Sequence, residues 1–143
     1  MKKQLTNERA AQMCADLLDS GLLDIIGIVG YLSAVNYMAL HDAVEPFLDQ
    51  RNRLIAEYGD AKTDEGGNIV DYVVSPTSPR FAEFIEKHKA IADLTVEVEV
   101  KPIKESEAVS VINGKQLLAV PWLFETESET ENESEVSDEY ADA

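Results

Sequence analysis

The sequence predicts an α+β domain in which three or four helices pack on a small antiparallel sheet. Two observations support this prediction. Residues 32–58 place apolar side chains at intervals of three and four, which is the repeat of an amphipathic helix. Residues 94–103 instead alternate valines with charged residues such as Glu97 and Glu99. Strict alternation is typical of a strand that has one buried and one solvated face.

The N-terminal part of the chain is predicted to be helical. Residues 5–19 repeat apolar side chains along one face, with Asn7 as the N-cap and Gly21 suited to the left-handed position after the helix. Residues 22–29 are strongly apolar. Gly27 and Gly30 weaken a long helix there, so we expect only a short helix or a helical turn.

The predicted long helix at residues 32–58 contains Pro46, which either bends it or separates two helices. Residues 60–68 form a loop by composition, because they combine acids with two glycines and an asparagine. Residues 69–74 have strand character. We expect this strand to pair with residues 96–101 across a helix at residues 80–93.

The segment at residues 109–124 allows two interpretations. Asn113-Gly114 between apolar runs is typical of a hairpin, whereas Asn113 followed by Gln116 is the pattern of a helical capping box. Trp122 and Phe124 follow. They either anchor this segment in the core or, as an exposed aromatic pair, contact a partner.

Residues 125–143 differ from the rest of the chain in charge, with nine acidic side chains and no Lys or Arg. Such a segment cannot bury enough apolar surface to offset the ~1–2 kcal/mol per residue that ordering a backbone costs. We therefore predict one globular domain at residues 1–124 and a disordered acidic tail at 125–143. The tail acids expected to meet a partner are Glu127, Glu129, Glu131, Glu133 and Glu135.

The formal net charge of −16 argues against direct binding of nucleic acid and favours a basic protein partner. Residues 21–40 are apolar but include Asp24, which is unfavourable in a bilayer by ~2.5–3.5 kcal/mol. We therefore predict that this segment is buried core and that the protein does not enter membranes. The single cysteine and the lack of a signal-peptide pattern fit a reducing compartment and so a cytoplasmic location.

Common catalytic and cofactor motifs, such as P-loops and dinucleotide fingerprints, are absent from the sequence. We therefore predict no enzymatic activity and no cofactor. The alternative is a small metal-dependent hydrolase that uses Glu97, Glu99, Asp71 and a histidine. Such chemistry needs a cleft that separates the pKa values of the carboxylates.

Three isolated residues and one loop are interpreted as structural. Cys14 lies in a helical pattern as a small buried side chain. His41 and His88 are far apart in sequence and are predicted at the surface or its boundary. The loop at residues 60–68 places oxygen ligands at even spacing, but it lacks the glycine and glutamate of a calcium loop. A plain turn is therefore expected.

Five segments occur in a familiar order: RNRLIAEYG, DAKTDEGGNIV, FAEFIEKHKAIADL, VEVEVKPI and INGKQLLAVPWLFE. Over residues 32–125 this order resembles an uncharacterised family of small proteins encoded by phages and prophages of Gram-positive bacteria. The resemblance implies a short helix from Asn113. It implies no activity and no functional residue, because the family has no assigned activity.

We therefore expect a non-enzymatic phage protein that acts by protein–protein interaction in the cytoplasm of a bacterial host. One role is an acidic inhibitor of a host nucleic-acid-binding defence system, such as a DNA-mimicking anti-restriction or anti-CRISPR protein. The alternative is a virion assembly or tail accessory factor. The expected contacts are Glu97, Glu99, Trp122 and Phe124 with the tail acids, and the oligomeric state stays open.

Overall fold

The computed structural model describes residues 1–125 of the 143-residue chain. The fold has the predicted α+β class. A single buried apolar cluster extends from Ala10 to Leu123 and joins the helices to the strands. The predicted tail disorder concerns residues that, apart from Glu125, lie outside the described range.

The described residues contain three long helices, two short helices and six short strands. The helices are α1 (Asn7–Asp19), α2 (Ile28–Tyr58), α3 (Phe81–Ala92), α4 (Glu105–Ala108) and α5 (Gly114–Ala119). The strands are β1 (Lys2–Thr6), β2 (Asp60–Thr63), β3 (Ile69–Val73), β4 (Thr95–Glu99), β5 (Ile103–Lys104) and β6 (Phe124–Glu125). They form three separate pairs: β1–β4 and β2–β3 are antiparallel, and β5–β6 is parallel.

Strand β1 was not predicted, and it moves the start of the first helix from residue 5 to Asn7. The N-cap is Thr6 and not Asn7, because the Thr6 hydroxyl accepts a hydrogen bond from the backbone N–H of Arg9 at 3.1 Å. Asn7 instead donates its side-chain N–H to the carbonyl of Ile91 at 3.0 Å and so ties α1 to α3. A short polar strand has little pattern of its own, because its pairing depends on a distant partner.

Helix α2 begins four residues earlier than predicted, at Ile28. The short helix predicted at residues 22–29 is a single 3₁₀ turn, Leu22–Asp24. Gly30 permits this entry, because a Cβ at position 30 would collide with the backbone carbonyl of Ile25. Gly30 thus allows a close backbone approach inside α2, whereas the sequence analysis interpreted it only as a residue that weakens a long helix.

Helix α2 continues without interruption through Pro46, so a single helix replaces the alternative of two helices. Pro46 is exposed. The carbonyl that loses its helical N–H partner is that of Asp42, an exposed residue. On the opposite side of the helix, Leu40 and Val44 are fully buried and belong to the core that α2 shares with α1 and β4.

Asn36 is a fully buried polar residue on the inner side of α2. Its side-chain N–H groups donate to the carbonyls of Leu32 at 2.9 Å and Lys101 at 2.8 Å. Its carbonyl oxygen accepts from the backbone N–H of Lys101 at 2.7 Å. The side chain thus satisfies the backbone just after β4 ends, where no further strand pairing is available.

The predicted pairing of residues 69–74 with residues 96–101 is wrong. Strand β3 pairs with β2, which arises from the segment predicted to be a loop, and β4 pairs with β1. The glycine-containing turn therefore closes a hairpin. Strand pairing depends on which segments meet in three dimensions, and apolar composition alone does not specify that.

The inward and outward faces of β4 are as predicted. Val98 and the following Val100 are buried, whereas Glu97 and Glu99 are exposed. The helix predicted at residues 80–93 is also confirmed, as α3.

The capping-box interpretation of Asn113 is correct and the hairpin alternative is wrong. The Asn113 side chain accepts from the backbone N–H of Gln116 at 2.9 Å, and the Gln116 side chain accepts from the backbone N–H of Asn113 at 3.1 Å. After α5, Val120 and Leu123 are buried, while Leu117 stays exposed.

Within residues 1–125, no helix combines the length and the apolar composition that a membrane span requires. The prediction that residues 21–40 are buried core is correct only in part. Leu22, Val29 and Leu40 belong to the buried cluster, whereas Ile26, Tyr31 and Met38 are largely exposed. Cys14 is buried, as predicted.

Candidate functional site

Glu97 and Glu99 stand on the solvated face of the β1–β4 ribbon. Glu97 forms an ion pair with Lys2 at 3.5 Å and accepts a hydrogen bond from the side chain of Gln4 at 3.4 Å. Glu99 lies 2.9 Å from the amino group of Met1, and this hydrogen bond lowers the pKa of the Glu99 carboxyl. Both carboxylates are therefore exposed surface groups with partners on or next to β1, and they do not share a cleft.

The residues of the hydrolase hypothesis do not come together in the described part of the chain. Asp71 lies on the β2–β3 ribbon, and its carboxylate accepts from the backbone N–H of Tyr72 at 2.8 Å. Glu97 and Glu99 lie on the other ribbon, and the two histidines lie on α2 and α3. The arrangement that this chemistry needs is absent from these residues.

Asp64 organises the turn of the β2–β3 hairpin. One carboxylate oxygen accepts from the backbone N–H of Gly66 at 2.9 Å and of Asn68 at 3.0 Å. The hydrogen bond from Asn68 is the main reason that the pKa of Asp64 is lowered. The calcium-like spacing in the sequence thus reflects a side chain that binds its own turn.

Trp122 and Phe124 are half-buried and pack against the core. This corresponds to the anchoring alternative, and the freely exposed aromatic pair is not what the structure contains. The indole N–H of Trp122 is buried without a hydrogen-bond partner among the described residues. A direct partner contact by these two residues stays a prediction.

The tail acids that were predicted to meet a partner lie outside the described residues. They are Glu127, Glu129, Glu131, Glu133 and Glu135.

A groove of about 440 Å³ lies between α1, α2 and α3. Its floor and walls are largely apolar, from residues such as Leu18, Leu48 and Phe47. The side chains along it that carry polar groups are Glu8, Gln12, Cys14, Tyr37, His41, Arg51 and His88. The sequence analysis missed this groove, because its residues are separated by up to 80 positions and meet only when three helices pack.

The groove does not have the features of a nucleophile with its base. Burial raises the pKa of the Cys14 thiol, which disfavours the reactive thiolate. His41 stacks on Tyr37, with ring centroids 5.8 Å apart. His88 lies 5.9 Å from the ring of Phe47. Both imidazole rings therefore pack against aromatic side chains. Within residues 1–125, no hydrogen bond joins either of them to Cys14.

His41, which lines this groove, also forms a cluster with Asp42 and Glu45 on α2. One potential ligand atom from each lies within 4.8 Å of the others. His41 and Glu45 are four residues apart, so they share one side of the helix. Nitrogen and oxygen donors suit zinc-like ions, but the two carboxylates are exposed and also belong to the acidic outer side of α2.

Comparison with protein-family models, with curated proteins and with solved structures finds no match for this chain. The resemblance to phage and prophage proteins therefore stays a prediction. The functional argument rests on charge, exposure and packing.

Proposed function

We propose that this protein acts by binding another protein that carries a basic surface, and not by catalysing a reaction. The observation that carries the proposal is the number of carboxylates without a cation. Residues 1–125 hold twenty acidic side chains against twelve basic ones, a formal charge of −8. None of the twenty is buried.

Few of these carboxylates are neutralised within the fold. Five form ion pairs in the described residues, and the other fifteen do not: the paired ones are Asp49, Glu57, Glu83, Glu97 and Glu99. Unpaired surface carboxylates attract a basic protein over long range and lose little on contact, because no internal ion pair has to break. Glu97 and Glu99, whose ion pairs are exposed to solvent, and the tail acids are further partner contacts in our proposal.

The finer proposal is a phage protein in the host cytoplasm that inhibits a nucleic-acid-binding defence system. A groove that binds phosphates accepts carboxylates through the same release of counterions. The support is the charge, together with the resemblance to phage and prophage proteins.

The alternative, a virion assembly or tail accessory factor, is supported by a different observation. Val109 and Leu118 are largely exposed near a small apolar groove of about 150 Å³ between α4 and α5. Exposed apolar side chains beside a groove suit an interface that depends little on salt.

Capture and titration test the proposal. Tagged full-length protein captures partners from a lysate of infected bacteria, and the bound protein is purified. We expect a basic partner whose affinity falls steeply between about 50 and about 200 mM salt. Deleting residues 126–143 should weaken binding, chiefly through slower association. An affinity that changes neither with salt concentration nor with this deletion would contradict the proposal.

Competition with duplex DNA separates the two finer roles. An inhibitor that occupies a phosphate-binding groove and DNA exclude each other from the captured partner. An assembly factor leaves any DNA binding of the partner unchanged, and substitution of Leu118 by Asp should then abolish the complex.

A further inference from the structure

Seven residues form one continuous line along the outer side of α2. We call this line the outer stripe: Ile28, Tyr31, Val35, Met38, Asp42, Glu45 and Asp49. Their spacing alternates between three and four residues, which keeps them on one face of a helix. The stripe is about 30 Å long, at 1.5 Å per residue.

The first half of the outer stripe is apolar and largely exposed. Tyr31 is 66% exposed and Met38 is 62% exposed, and Ile26 just before the helix is almost completely exposed. On the other side of the same turns, Ser33 and Asn36 are fully buried. Val35, between Tyr31 and Met38, is partly buried. The helix is therefore docked on the core by its inner side, while most of the apolar half of the outer stripe stays exposed.

The second half of the outer stripe is acidic. Asp42 and Glu45 form no ion pair with any described residue, and Asp49 pairs with Arg53 at 3.1 Å within the same helix. An apolar length of about 15 Å thus continues directly into an acidic length of about 10 Å. The partner that complements this pattern is apolar along one half and basic along the other.

We propose that the outer stripe docks an amphipathic helix of the partner protein, about 20 residues long, whose apolar half covers Ile28 to Met38 and whose Lys or Arg residues face Asp42 to Asp49. This inference rests on the proposed function and locates its interface. Helix-on-helix docking uses apolar anchors at the same three-and-four spacing on both sides.

Charge favours a basic partner helix over two other ligands of the stripe, a second copy of this chain and the chain's own residues 126–143. In a parallel dimer the acidic halves of the two stripes would face and repel each other. In an antiparallel dimer Asp42 and Glu45 would be buried against apolar residues without a cation, which is unfavourable. The chain's own residues 126–143 contain eight acids and no base, so they do not complement the acidic half.

Two synthetic helical peptides test the proposal with the full-length protein. Both carry leucines at stripe spacing over two heptads; one then carries lysines at the stripe positions of a third heptad, and the control carries glutamates there. Fluorescence anisotropy at about 50 mM salt should show at least about tenfold tighter binding of the basic peptide. Failure of the basic peptide to bind, or equal binding of both, overturns the proposal.

Matched variants locate the contact. Tyr31→Asp and Met38→Asp should each weaken binding about tenfold or more, since they place a charge in the apolar half. Leu118→Asp, at an 80% exposed apolar residue on α5, should leave binding unchanged.

Asp42→Asn combined with Glu45→Gln should weaken binding about threefold at low salt only, whereas Glu86→Gln on α3 should have no effect. Circular dichroism confirms that each variant is folded.

Two further results distinguish this inference from the proposed function. If the captured partner binds with the expected salt dependence but tolerates Tyr31→Asp and Met38→Asp, the stripe is not the interface and the proposed function stands. If sedimentation shows a dimer that Tyr31→Asp dissociates, the stripe's occupant is a second copy and the inference is overturned.

Discussion

The two antiparallel ribbons have similar lengths and opposite surroundings. In β1–β4, Val98 is 2% exposed because β4 lies against α2. In β2–β3, Val70 is 64% exposed, and no residue of the hairpin belongs to the buried core cluster. Apolar composition therefore predicts that a segment is a strand, whereas strict alternation predicts that one of its faces is buried.

The sharpest test of this comparison is the same substitution in each ribbon. Val98→Asp buries an unpaired charge and should lower the free energy of unfolding by about 3–5 kcal/mol or unfold the domain. Val70→Asp should change it by less than about 0.5 kcal/mol. Urea denaturation measures both values, and equal tolerance would show that the two ribbons are equally exposed.

Asn36 tests what holds the end of β4 in place. Asn36→Ala removes the partners of both backbone groups of Lys101 and should cost about 2–3 kcal/mol in the free energy of unfolding. The matched control is Ser33→Ala, because the buried Ser33 hydroxyl has no partner among the described residues. That change should be neutral or stabilising. Similar losses from both would mean that the hydrogen bonds of Asn36 are not the cause.

The β2–β3 hairpin should respond to acid locally. The hydrogen bonds of the folded turn lower the pKa of Asp64 from its ordinary value of 3.8. The ionised carboxylate therefore stabilises the turn fully at pH values above 3.8. This stabilisation is lost as the pH falls through the lowered value. The amide resonances of Gly66 and Asn68 should shift in that range, ahead of resonances from β4. In Asp64→Asn these shifts should be absent at every pH.

The smallest effect is expected on the wet face of β4. Glu97→Lys replaces an exposed ion pair with a like-charge contact to Lys2 and should cost less than about 1 kcal/mol. Comparing the melting temperatures of Glu97→Lys and Val98→Asp tests the two faces of the same strand. A loss as large as that of Val98→Asp would mean that the two faces of β4 are misassigned.

Several elements could be predicted because their signals are local. The capping box at Asn113, the end of α1 before Gly21 and the two faces of β4 each depend on residues that are neighbours in sequence. Strand β1 and the hairpin partner β2 escaped prediction, since a short strand is stabilised by a partner elsewhere in the chain. The candidate interface follows the same division: the charge is visible in the sequence, but its position on the fold is not.

By itself the sequence determined the α+β class, the long helix with its apolar inner side and the formal net charge of −16. These properties are sums or short-range repeats, so no contact map is needed to obtain them. Only the tertiary structure decided that Cys14, His41 and His88 line one groove and that Tyr31 and Met38 are left uncovered. A helix that is apolar on more than one side can bury only the side that finds a packing partner, and that choice is made by the whole fold.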